Sequence, residues 1–131
     1  TGTSVTDILD KYRDDYRLSI EDFAEQVKQR IRVLVSERTV SEELVSTPFN
    51  MSPRHLRRKL SETQTTYEKL LDEVRMELAV RLIKEGKLNL GRIAFELGFL
   101  DPSSFTRAFR RWTGMSPTTF RSQFNQAALP S

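Results

Sequence analysis

Arginine side chains concentrate in two short acid-free stretches of the chain, residues 54–60 and 102–131. The basic residues of the first stretch are Arg54, Arg57, Arg58 and Lys59. Those of the second are Arg107, Arg110, Arg111 and Arg121. Guanidinium groups bind phosphate oxygens and form bidentate hydrogen bonds with guanine O6 and N7. The pattern therefore indicates a polyanionic partner, nucleic acid first, although a solvated basic surface would show the same composition.

The residue types that most enzyme sites need are scarce. The chain has no cysteine, and His55 is its one histidine. This excludes disulfides, thiolate zinc sites, cysteine nucleophiles and multi-histidine metal sites. No nucleophile is spaced to use His55 as a base, so we expect it to pack or to contact phosphate. We expect no enzyme activity, no metal and no cofactor.

Composition indicates one compact domain of ordinary size, or two very small ones that share a seam. The 131 residues carry a net charge of +3, with 37% hydrophobic and 30% charged residues, which is typical of a globular protein. No apolar stretch approaches the roughly 18 residues of a membrane span, and no signal-peptide pattern opens the chain. Up to Glu25 there are three basic and seven acidic residues, whereas 18 basic and 11 acidic residues follow. We expect residues 1–18 to be an interdomain linker or a segment at an artificial chain end, with an acidic helix as the alternative.

Apolar periodicity and capping motifs predict an all-α fold of about seven helices, with no strand. A capping-box pattern at Ser19 opens a helix over about 20–37, and Ser41 opens a short one that Pro48 and Asn50 end. A second capping-box pattern, at Thr65 and Glu68, opens the longest helix, which Gly86 closes. This longest helix covers about 66–85. The other predicted helices cover about 52–62, 90–97 and 102–112, and a last one runs from Ser116 through Phe124.

The two halves of this pattern repeat each other. Small residues, Ser46 and Ala94, stand where two helices would cross, and the turn residues Asn50 and Gly98 follow at matched spacing. Large apolar residues, Leu56 and Phe105, then open the core stripe of the next helix. Two helices joined by such a turn form a helix-turn-helix unit, and its duplication strengthens the assignment. The alternative is a helical bundle that contains two α-hairpins by accident.

The segment from Gly98 to Arg121 closely resembles the signature of the AraC/XylS family of bacterial transcription regulators. It has the glycine-phenylalanine turn, the aspartate, Ser-x-Phe, Arg-x-Phe and the closing Gly-x-Ser-Pro. The resemblance covers about residues 20–125 and implies the family's DNA-binding domain. We expect that domain over 19–125, with helix-turn-helix subdomains at about 41–62 and 90–112, a linking helix at 66–85 and a tail at 126–131.

The sequence departs from the family pattern at four positions. Asn50 and Gln64 stand where glycine is usual, and Leu100 stands where a small polar residue is common. Pro48 falls inside the first short helix. These departures concern the local geometry of the turns.

The linking helix would be roughly 30 Å long, close to the 34 Å of one DNA turn, so both recognition helices could enter successive major grooves. The chemistry of the side chains and their place on the two helices give seven base-contact candidates: Arg54, Arg57, Arg58, Ser103, Ser104, Thr106 and Arg107. The resemblance matches Arg54, Arg57 and Arg58 to positions that reach bases in relatives. Phosphate-contact candidates are Ser41, His55, Arg110, Arg111, Ser116 and Arg121.

The resemblance also implies a larger context. The chain would be a fragment of a longer cytoplasmic, nucleoid-associated regulator that binds double-stranded DNA at promoters and contacts RNA polymerase. An effector-sensing and dimerisation domain would precede residue 1, so we expect the isolated domain to be monomeric and the full-length protein to be dimeric. The alternative function is a helical protein-interaction module whose basic faces bind an acidic partner.

Overall fold

The computed structural model describes residues 5–128, and within them the side chains of Val5, Asp7 and residues 22–125. This part of the chain is all-α, as the sequence predicts, with seven α-helices and no strand. The helices are α1 (Val5–Ser36), α2 (Glu42–Ser46), α3 (Pro53–Ser61), α4 (Tyr67–Glu85), α5 (Leu90–Glu96), α6 (Pro102–Thr113) and α7 (Pro117–Ala128). A single 3₁₀ turn, Thr47–Phe49, follows α2 and accommodates Pro48. Within the described residues, no helix combines the length and the apolar character needed to cross a membrane.

The first helix is longer than predicted. α1 is one continuous helix of 32 residues, so the expected acidic helix and the expected helix at 20–37 are a single element. No glycine or proline interrupts residues 5–36, and the capping-box pattern at Ser19 therefore lies inside the helix instead of opening it. The expected boundary between residues 18 and 19 falls within α1. Residues 1–4 and 129–131 lie outside the described residues.

Predicted and observed helix starts agree closely elsewhere because short polar side chains cap them. Ser41 and Ser52 accept hydrogen bonds from the N–H groups of Leu44 and His55, as the sequence predicts. The long helix is capped by Thr66, which accepts from the Lys69 N–H at 3.1 Å, and not by Thr65. Such caps satisfy N–H groups that have no partner inside the helix.

Two hydrophobic cores lie along α4. The first core contains α1, α2, α3 and the first half of α4, and its fully buried members include Val27, Ile31, Val45, Leu56 and Leu60. The second contains the other half of α4 with α5, α6 and α7, and its fully buried members include Ala79, Ile93 and Phe109. Leu78 packs against both cores. The long helix thus holds two helix-turn-helix units on one rigid element.

Candidate nucleic-acid interface

Both helix-turn-helix units cross at a small buried residue. Ser46 is 1% exposed where α2 meets α3, and Ala94 is 2% exposed where α5 meets α6. The turn residues that follow have left-handed backbones, with φ of 56° at Asn50 and 88° at Gly98. Asparagine and glycine are the residues that tolerate this conformation best. The spacing predicted from the sequence therefore produces two equivalent turns.

The hydrogen bonds that close the turns also match, and they show where the two halves differ in length. The Met51 N–H donates to the Ser46 carbonyl, and the Phe99 N–H donates to the Ala94 carbonyl. After these equivalent bonds the first unit goes directly to its cap, Ser52, whereas the second inserts Leu100 before its cap. Leu100 is fully exposed.

The exposed face of α3 is built by its helical period. Leu56 and Leu60 are completely buried, so residues about half a turn away face solvent. Arg54 and Arg58 lie along the centre of that face, with His55 on one flank and Arg57 on the other. Ser52, Arg54, His55 and Arg58 line a shallow depression at the N-terminal end of the helix. His55 is exposed beside Arg54 and Arg58, so of its two expected roles the exposed position favours a phosphate contact over packing.

Arg57 differs from its neighbours because two carboxylates hold it. Its Nε donates to Glu42 Oε2 at 2.6 Å, and its Nη2 donates both to Glu42 Oε1 and, at 2.6 Å, to Glu68 Oε1. Glu42 belongs to α2 and Glu68 to α4, so the contacts join three helices. The hydrogen bonds from Arg57 lower the pKa of Glu42, and those to Glu42 and then Glu68 raise the pKa of Arg57. Arg54 and Arg58 form no ion pair with the described residues.

The second recognition helix, α6, presents a less charged face. Phe105 and Phe109 are buried, and Ser103, Arg107 and Arg110 lie on the opposite side. Arg107 and Arg110 form no ion pair in the described part of the chain, and Arg107 Nη2 donates to the Ser104 hydroxyl at 3.3 Å. By its position in the repeat, Ser103 corresponds to Arg54 and Arg107 to Arg58.

Two further candidates on α6 are engaged locally. The Ser104 N–H donates to Asp101 Oδ1 at 2.7 Å, and its hydroxyl donates to Asp101 Oδ2 at 3.2 Å. These hydrogen bonds, the backbone one first, lower the pKa of Asp101. The Thr106 hydroxyl donates to the Pro102 carbonyl at 3.0 Å. Ser104 therefore completes the helix cap and lies at the edge of the exposed face.

The predicted phosphate contacts fall into different environments. Arg110 is exposed on the face of α6, whereas Arg111 pairs with Asp72 of α4 at 3.2 Å. Arg121 donates to the Leu88 carbonyl at 2.6 Å and joins α7 to the loop before α5. Ser41 caps α2, and the Ser116 hydroxyl accepts from the Thr119 N–H at 3.1 Å at the start of α7.

Arg75 positions the second unit, and the sequence analysis does not predict this role. Arg75 of α4 donates through Nε to the Leu97 carbonyl at 3.1 Å, and its guanidinium lies 4.8 Å from the centre of the Phe99 ring. Burial lowers the pKa of this guanidinium. The available signal was its place directly after Val74, at the edge of the apolar stripe of a long helix. Arg75 thus fixes the turn before α6 against α4.

Comparisons with known proteins agree with this geometry. A family described as helix-turn-helix domain matches residues 45–123. The chain is 48% identical over 73 residues to the ornithine utilization regulator of Pseudomonas aeruginosa, covering 56% of this chain and 22% of that regulator. It is 33% identical over 124 residues to the transcriptional regulator VqsM of the same organism, covering 95% of this chain and 36% of VqsM.

A solved structure has the same fold. The DNA-binding domain of AdpA, described as a global transcriptional factor in complex with a target DNA, superposes with a TM-score of 0.69 at 25% identity, covering 81% of this chain and 95% of that one. The chain spans only 22% and 36% of the two curated relatives. The family match covers more than half of the chain and both repeated turns. The chain therefore belongs to the AraC-type helix-turn-helix family of DNA-binding transcription regulators.

Proposed function

We propose that this chain binds a specific double-stranded DNA site by placing α3 and α6 in successive major grooves on one side of the duplex. The observation that carries the proposal is the repetition of one turn and one arginine-bearing exposed helix face at the two ends of a shared helix. α4 has 19 residues and is therefore about 28 Å long, close to the roughly 34 Å advance of one DNA turn. A single chain would then read a site without palindromic symmetry.

In the first half-site, Arg54 and Arg58 are the residues best placed to read guanines. Their guanidinium groups are exposed and unpaired within the described residues, and arginine is the commonest bidentate reader of guanine O6 and N7. His55 flanks them and suits a phosphate contact. Arg57 was also a base-contact candidate, but it would have to leave Glu42 and Glu68 to reach a base.

In the second half-site, Arg107 and Ser103 occupy the equivalent positions. A serine hydroxyl can form hydrogen bonds with several different bases, so the second half-site should be read less selectively than the first. Thr106 and Ser104 remain base-contact candidates at the edge of the face. Arg110 is the phosphate contact we favour, with Arg111, Arg121 and the capped helix starts at Ser41 and Ser116 as further candidates.

The matched proteins support a larger role, which we also propose. The match covers 36% of VqsM, so VqsM is about three times as long as the segment that this chain matches. We infer that the chain is part of a longer cytoplasmic, nucleoid-associated regulator that acts at bacterial promoters, contacts RNA polymerase and has no catalytic role. We expect the isolated domain to be a monomer and the full regulator to be a dimer.

The test is selection of bound duplexes from a random DNA pool at about 150 mM salt. The expected product has two enriched blocks about 10 base pairs apart. Arg58→Ala should abolish the base preference in one block, and Arg107→Ala should abolish it in the other. Arg81→Ala, on α4 beside α1, is the matched control and should change neither block. An unenriched pool would refute sequence-specific binding and favour an acidic protein partner.

A further inference from the structure

Three helices meet at Arg57. α3 provides the guanidinium, α2 provides Glu42 and α4 provides Glu68, and the contact to Glu42 uses two nitrogens and both carboxylate oxygens. The side chain of Glu42 is 29% exposed, whereas those of Arg57 and Glu68 are 46% and 59% exposed, so only the Glu42 side of the cluster is partly shielded from water. An isolated surface ion pair stabilises little, but bidentate geometry and a second carboxylate are the features that make such a contact effective.

The charge of this cluster argues against a direct contact with DNA. Two carboxylates face one guanidinium, so the three side chains together carry a net negative charge. A phosphate brought to this flank of α3 would meet that negative charge, whereas Arg54 and Arg58 present positive charge with no carboxylate partner in the described residues. The matching position in the second unit, Thr106, is likewise engaged by the protein, through the Pro102 carbonyl.

We infer that Arg57 is a positioning residue: it sets the angle of α3 against α2 and α4 through Glu42 and Glu68, while Arg54 and Arg58 read the first half-site. This inference rests on the proposed DNA binding and specifies how its first half works. It also assigns a role to two acidic side chains beside the basic face of α3.

The two possible roles of Arg57 predict opposite signs for one substitution. If Arg57 reads a base, Glu42→Gln weakens the hold on Arg57 by removing one of its two carboxylate partners, and it removes a negative charge near DNA, so specific binding tightens. If Arg57 positions α3, Glu42→Gln loosens the helix, and specific binding weakens by about two- to fivefold, the range measured for single ion pairs. Binding to random-sequence DNA should not weaken, which separates loss of positioning from loss of folded protein.

Glu43→Gln is the matched control. Glu43 lies beside Glu42 in the first turn of α2, and its backbone carbonyl, not its carboxylate, accepts the local hydrogen bonds from Ser46 and Thr47. Glu43→Gln removes the same charge as Glu42→Gln and leaves the contacts of Arg57 intact. It should leave specific binding unchanged or slightly tighter.

A base-by-base measurement completes the experiment. The selected duplex is altered at each base pair in turn, and binding is compared for wild type, Arg57→Met and the double variant Glu42→Gln/Arg57→Met. Under this inference Arg57→Met weakens the selected duplex and all its altered forms by the same factor. The double variant binds no more weakly than Arg57→Met, since Arg57→Met already removes the contact with Glu42 that Glu42→Gln weakens.

Two results would overturn the inference. One is tighter specific binding by Glu42→Gln but not by Glu43→Gln. The other is loss, in Arg57→Met, of discrimination at a single base pair by about five- to 150-fold, the amount that a bidentate arginine–guanine contact provides. A wild-type protein that selects no sequence would instead refute the proposed function, and this inference with it, before any variant is compared.

Discussion

Replacing Gln64 by glycine should stabilise the protein, and the turn before α4 gives the magnitude. Gln64 has φ of 62°, a left-handed conformation, and its N–H donates to the Ser61 carbonyl at 3.2 Å. An L-residue in this conformation costs about 1–2 kcal/mol. Glycine avoids that cost but loses about 0.5–1 kcal/mol more backbone entropy on folding. The side chain is exposed and makes no hydrogen bond within the described residues, so we expect a net gain of about 0.5–1 kcal/mol.

Urea unfolding and thermal unfolding measure this change. A gain of that size raises the Tm of a domain of this length by about 2–4 °C. Gly114→Ala is the mirror-image control: Gly114 has φ of 83°, and an added Cβ would meet no atom within 4 Å. Its cost is therefore backbone strain alone, and it should lower stability by about 1 kcal/mol. If Gly114→Ala destabilises while Gln64→Gly fails to stabilise, the backbone explanation for Gln64 is wrong.

Three further predictions concern the second unit. Arg110→Ala should weaken binding to specific and random DNA by the same factor and reduce the slope of log affinity against log salt by about 1, as titrations at several salt concentrations would reveal. Phe109 is fully buried against the rings of Phe105 and Phe120, so Phe109→Ala should lower the free energy of unfolding by about 3–5 kcal/mol in urea. The lowered pKa of Asp101 means that its contribution to stability is present above its unfolded-state pKa and is lost as pH falls through the lower folded-state value. Asp101→Asn keeps a hydrogen-bond acceptor at the cap but cannot ionise. It should therefore reduce the loss of unfolding free energy at acidic pH, as unfolding curves at several pH values would measure.

The local features of the fold could be predicted from the sequence because they depend on neighbours in the chain. The crossing residues Ser46 and Ala94, the left-handed turns at Asn50 and Gly98, and the caps at Ser41 and Ser52 all follow from residue type at short spacing. Gln64 stands where the family pattern has glycine, and its positive φ shows why glycine is usual there. The length of α1 was missed because no local signal distinguishes a helix start at Ser19 from a helix that continues through it.

The environments of the arginines could not be predicted in the same way. Arg57 meets carboxylates 15 and 11 positions away in sequence, and Arg111 meets Asp72 at a separation of 39. Such partners are decided by how helices pack, and the composition of α3 and α6 is the same whether an arginine is free or paired. Sequence therefore identified the two exposed helix faces, and the structure distinguishes free arginines from those held by other helices.

The most direct test of reading by two helices changes the spacing between the two blocks of the selected DNA site. Duplexes with about five or about ten additional base pairs between the blocks would be compared with the selected site. Because α4 is about 28 Å long and carries a core at each end, α3 and α6 cannot follow either insertion. We predict that both insertions weaken binding by about tenfold or more, to the level of a duplex with one block scrambled. Unchanged affinity with either insertion would contradict simultaneous reading of two successive grooves by one chain.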